Sequence, residues 1–91
     1  MKLKIVMSKQ FRRDMKRAIK RDKDIDKLEE VVNRLANREM LELKYRDHNL
    51  SGEFSGFREC HIAPDWLLIY RVEEDELILL LMRTGTHADL F

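Results

Sequence analysis

The segment FRECHIAPDWLLIYRV (residues 57–72) decides how this chain folds. From Trp66 to Tyr70 it is apolar over strand length and preceded by turn residues, the pattern of a buried β-strand. Pro64 has no backbone N–H and restricts Ala63, so a preceding strand, FRECHI, has to end there. The two strands then form a tight hairpin. Two titratable side chains, His61 and Asp65, fall at its mouth. They are either ordinary turn residues or parts of a site.

Outward from this hairpin the texture stays β. ELILLLMR (76–83) reads as a third strand, reached through the acidic turn EEDE (73–76). The last two strands are apolar on both faces, so both faces need cover, one from helices and the other from a partner. Upstream, KLKIVM (2–7) suits a short strand and Ser8 offers an N-cap. Phe11, Met15, Ala18 and Ile19 follow at helical spacing. Arg12, Arg13, Lys16, Arg17 and Lys20 fill the remaining surface, giving an amphipathic helix with a basic outer face. After a polar break, Asp24 or Asp26 caps a second helix with Ile25, Leu28, Val32 and Leu35 on its apolar stripe. Residues 39–56 show loop chemistry. The order is β-α-α-β-β-β: one α+β domain over residues 1–91, with a helical hairpin packed on a mostly antiparallel sheet.

Cys60 is the only cysteine, so no disulfide forms within the chain. Its plain reading is a small buried hydrophobe. The longest apolar run, LILLLM (77–82), is strand-sized, and the N-terminus lacks a signal-peptide pattern. The expectation is a soluble cytoplasmic protein without a membrane role. Net charge is +1 but unevenly spread. Residues 1–21 carry nine basic and one acidic residue, while residues 22–91 carry nine basic and sixteen acidic ones. A basic pole of this kind attracts phosphate backbones or acidic partners.

The three histidines are His48, His61 and His87. Each lies in or beside a loop, at a strand edge or in the tail, where side chains can converge on one rim of the sheet. Imidazole exchanges protons in both directions near neutrality. One reading is a metal site of the three histidines plus Asp65, but no pair has the H-x-x-x-H type of ligand spacing. The other is metal-free RNA cleavage, which needs an acid, a base, a cation for the developing phosphorane charge, and an aromatic to hold a base. The chain has such parts in Asp65, Arg83, Trp66 and Phe91.

Taken together, DHNLSGEFSGFRECHIAPDWLLIYRV and RTGTHADLF resemble the YafQ branch of the RelE/ParE superfamily of type II toxins. The likeness is dense from about Tyr45 to Phe91. It implies a RelE-like fold and a ribosome-dependent mRNA endonuclease neutralised by a cognate antitoxin, in a heterotetramer or similar complex. Operator DNA would be bound only through that antitoxin. The family's site falls on His48, His61, Asp65 with Trp66 beside it, Arg83, His87 and Phe91, with no metal or other cofactor. By the same resemblance, His48 and His87 share the base and acid roles, Asp65 orients a histidine and Arg83 steadies phosphate. Phe91 and Trp66 stack on bases, while Arg12, Arg13, Lys16, Arg17 and Lys20 grip ribosomal RNA. Asn49 and Phe54 depart from the commoner proline and tryptophan, which bears on loop shape. The alternative is a ParE-like toxin that binds a protein such as gyrase and cleaves nothing.

Overall fold

The computed structural model describes residues 2–91. Strand β1 (Lys4–Met7) leads into helix α1 (Lys9–Lys20), and helix α2 (Ile25–Ala36) follows after a short link. Two 3-10 turns, Leu43–Tyr45 and Gly52–Phe54, flank the two-residue strand β2 (His48–Asn49). Strands β3 (Arg58–Ala63), β4 (Trp66–Glu73) and β5 (Ile78–Gly85) come next, and helix α3 (His87–Leu90) closes the chain. The sheet order is β1-β5-β4-β3-β2. Only β1 runs parallel to its neighbour, β5; the other pairings are antiparallel. The expected α+β architecture is present, with two additions. The strand β2 and the helix α3 were not foreseen.

Ser8 caps α1, its hydroxyl accepting from Phe11 N at 2.9 Å. Asp24 caps α2 by accepting from Lys27 N at 3.2 Å. Phe11 and Ala18 of α1 and Leu28, Val31, Val32, Leu35 and Ala36 of α2 bury against Cys60, Ile62, Trp66, Leu68, Tyr70, Leu79 and Leu81 of the sheet. Ile19 does not join them; it is exposed. At about 100° per residue it lies roughly 80° from Phe11, on one flank of the stripe. The buried position on the opposite flank belongs to Asp14, which is only 4% exposed.

The second face of the sheet is covered in part by the chain itself. Leu67 and Ile69 bury with Leu90 of α3, and Leu50, Phe54, Phe57 and Met82 pack around them. The loop of residues 50–57 and the C-terminal tail therefore lie over this face. Cys60 is fully buried, and burial pushes its thiol pKa far up, so it is a core residue and no nucleophile.

A histidine and carboxylate rim as candidate active site

Four short segments build the candidate site: the loop at His48, the β3 face at Glu59 and His61, the hairpin turn at Asp65, and the β5–α3 joint at His87.

Asp47 anchors the first. It accepts from Tyr70 Oη at 2.6 Å and from Arg58 Nε at 3.3 Å. Arg58 also donates to Asn49 at 2.8 Å. The loop is thereby fastened to β3 and β4 on either side of His48. Arg46, in the left-handed region at φ 52°, turns its carbonyl to within 2.6 Å of His48 Nδ1. A carbonyl only accepts, so Nδ1 carries the proton and Nε2 is left to exchange one.

The Pro64–Asp65 turn brings the next pair together. Asp65 accepts from the His87 backbone N–H at 3.0 Å and contacts His87 Nδ1 at 2.8 Å. The backbone hydrogen bond, and then the imidazole, hold the Asp65 carboxyl below the ordinary aspartate range. Here too Nδ1 is committed, and Nε2 of the exposed His87 ring is the atom free for proton transfer. His61 stands between the two sets. Its Nε2 is 3.5 Å from Glu59, and its ring centroid is 5.8 Å from that of His87. His48 Nε2 is also 3.5 Å from the same Glu59 oxygen.

Glu59 was not among the sequence candidates. It is 5% exposed, a carboxylate buried between two imidazoles. Alternation in R-E-C-H carried a signal: Cys60 and Ile62 face the helix-covered core, which puts Glu59 and His61 together on the opposite face.

Two sequence expectations change. Trp66 is 2% exposed and packed in the main core, so it offers no face to an RNA base. The aromatic surface available is Phe91, exposed and edge-on to Phe54 at 5.7 Å. Arg17 is not a free cation either; it pairs with Asp14 at 3.1 Å and approaches Asp89 at 3.9 Å. Arg12, Arg13, Lys16 and Lys20 are exposed and have no ion-pair partner among the described residues. Arg83 is held by Asp14 through Nε at 2.7 Å and Nη2 at 3.2 Å. That pairing raises its pKa and leaves Nη1 without a protein partner among the described residues. No group of three or more His, Cys, Asp or Glu side chains among the described residues is arranged to hold a metal ion.

The rim thus sets His48 and His61 beside Glu59 and His87 beside Asp65. The family model for the bacterial toxin of type II toxin–antitoxin systems, YafQ, matches residues 3–91. The chain belongs to the YafQ toxin family. It is 43% identical over 88 residues to the mRNA interferase toxin YafQ of Escherichia coli K12, covering 96% of this chain and 94% of that one. It superposes on a metal-bound toxin from Helicobacter pylori with a TM-score of 0.92 at 44% identity, covering 98% and 99% of the two chains. The toxin of the E. coli DinJ–YafQ toxin–antitoxin complex gives a TM-score of 0.89 at 41% identity over 100% and 99%.

Proposed function

We propose that this protein is the mRNA-cleaving toxin of a type II toxin–antitoxin pair, and that it cuts message on the ribosome, in the cytoplasm, by acid–base chemistry without a metal. The observation that carries the mechanism is the matched state of two histidines. His48 Nδ1 is held by the Arg46 carbonyl at 2.6 Å and His87 Nδ1 by Asp65 at 2.8 Å. Each presents Nε2 as the exchanging atom. One takes the proton of the ribose 2′-OH, whose oxygen attacks the adjacent phosphorus. The other gives a proton to the departing 5′-oxygen. The products are a 2′,3′-cyclic phosphate and a 5′-OH end. Arg83, steadied by Asp14, offers its remaining N–H groups to the phosphorane charge. Glu59, 3.5 Å from Nε2 of both His48 and His61, lines the floor between them. Phe91 stacks on a base of the message.

The ribosome supplies what a domain this small lacks. Arg12, Arg13, Lys16 and Lys20 bind ribosomal RNA phosphate, and the decoding site orders the flexible message. The cognate antitoxin neutralises the toxin. The E. coli relative's complex with DinJ supports this, as does its description as an mRNA interferase, which also weighs against the non-catalytic alternative.

The test is a message carrying a single 2′-deoxy nucleotide at the scissile position, with EDTA held at a level that leaves the ribosome intact. The deoxy message binds the ribosome–toxin complex and resists cutting, while the ribose message is cut despite EDTA. Cleavage of the deoxy message would exclude 2′-OH attack. Loss of ribose cleavage in EDTA, restored by trace zinc or copper, would exclude the metal-free reading.

A further inference from the structure

Asp14 and Arg17 of α1 and its C-cap residue Arg21 stand at i, i+3 and i+7, one side of the helix. All three reach the segment that joins β5 to α3. Asp14 accepts from Arg83 Nε at 2.7 Å and from the Thr84 backbone N–H at 3.1 Å. Arg17 spans from Asp14, at 3.1 Å, toward Asp89, at 3.9 Å. Arg21 forks onto Asp89 at 2.7 and 3.3 Å. Asp89 also accepts from the Thr86 backbone N–H at 2.9 Å, completing a capping box that starts α3 at His87. Opposite charges therefore alternate without a break from Arg83 through Asp14, Arg17 and Asp89 to Arg21.

We infer that this ladder is a positioning device for the reaction: α1 clamps the β5–α3 joint and so sets Arg83 and His87 relative to the rim. Two further observations fit. Asp14 is nearly wholly buried, and its side-chain hydrogen bonds among the described residues go to Arg17, Arg83 and the Thr84 backbone N–H. A Cβ at Gly85 would come within 2.9 Å of Asp89 Cβ, so only glycine lets Asp89 fold back to meet Arg21. The helix α3 is four residues long and buries only Leu90, so besides the ladder the joint is held by β4, through the Thr84 hydroxyl donating to Leu67 O at 2.7 Å, and by the Asp65 contacts to His87. A basic helix that reads as an RNA-binding face thus spends its inner cations on the catalytic segment. The inference rests on the proposed ribonuclease reading for its activity arm only.

The test is a double-mutant cycle on the outer rung. Asp89→Asn keeps an oxygen for the Thr86 cap and removes the charge. Arg21→Gln removes the guanidinium, and Arg21→Lys keeps the charge without the fork. Single-turnover cleavage of ribosome-bound message is measured at saturating ribosome, alongside the affinity for ribosomes. Nitrogen-15 spectra of the His87 ring are recorded on the free toxin. The expected result is a rate about tenfold lower in each loss variant, unchanged ribosome affinity, and a double variant no slower than either single. Arg21→Lys keeps most of the rate. His87 moves from its Nδ1–H form toward the mixed tautomers of a free imidazole. Unaltered rates and an unaltered His87 spectrum would overturn the inference. A loss confined to ribosome affinity would assign Arg21 to RNA contact instead and overturn it as well. If even the unmodified toxin leaves message intact, the functional reading fails, and the His87 spectrum alone decides the ladder.

Discussion

His48 and His87 differ from His61 in what their second nitrogen meets. The first two have Nδ1 held by an oxygen, whereas His61 Nδ1 is buried without a partner among the described residues. His48→Ala and His87→Ala should each lower the single-turnover rate by about 10²–10⁴, the scale of a lost general acid or base. Asp65 gives a pH prediction with a definite sign. Its folded pKa is lowered by His87, so what it adds to stability is complete above about pH 4 and lost as pH falls through the folded value. Across the neutral range it stays ionised. A pH–rate profile measured from pH 5 to 9 should therefore report imidazoles, and Asp65→Asn should lower the rate without removing either limb. The aromatic pair separates by exposure. Phe91→Ala should weaken cleavage with little effect on stability, while Trp66→Ala should cost about 3–5 kcal/mol of folding free energy, read by urea denaturation. Single residues were unevenly legible in the sequence. His61 and Asp65 stood out because they flank a proline turn beside an apolar strand. Glu59 and Asp14 did not, because a carboxylate's burial depends on partners 11 and 69 residues away, at His48 and Arg83.

Among the elements, β4 was readable from its first residue, since WLLIY has apolar length and turn residues precede it. Strand β5 runs on to Gly85 through polar Arg83 and Thr84, past a register shift opposite Ile69 and Tyr70. Hydrophobic pattern alone stops short of that. The helix α3 announced itself only through Thr86 and Asp89, a T-x-x-D capping box too short to carry a helical stripe. The two residues of β2 have no pattern to read. Helix α1 was legible as amphipathic, but its basic residues divide in a way that charge counting misses. Arg17 and Arg21 turn inward to carboxylates, and Arg12, Arg13, Lys16 and Lys20 remain for solvent or a partner. Reversing Arg12, Arg13 and Lys16 to Glu should leave the circular-dichroism melt nearly unchanged. It should reduce ribosome affinity and flatten the dependence of log affinity on log salt by up to about three charges' worth. Equal ribosome binding by the triple variant and the parent would remove α1 from the interface.

At the scale of the whole molecule, one face of the sheet is given to stability and the other to the site. The helices bury the first face. On the second, Leu67 and Ile69 are sealed by the tail and the loop of residues 50–57, while His48 and His87 stay exposed on either side of the largely buried Glu59 and His61. On the proposed reading, a domain of this size has little surface for ordering a strand of RNA. Such a domain should cut free message poorly. No helix among the described residues is long and apolar enough to cross a membrane. The central claim is that the message's own 2′-OH is the nucleophile and the histidines move its protons. Mass spectrometry of the fragments released from ribosome-bound message tests it most directly. A 2′,3′-cyclic phosphate or its 3′-phosphate hydrolysis product upstream, with a 5′-OH downstream, is the predicted result; a 3′-OH upstream with a 5′-phosphate downstream would contradict it.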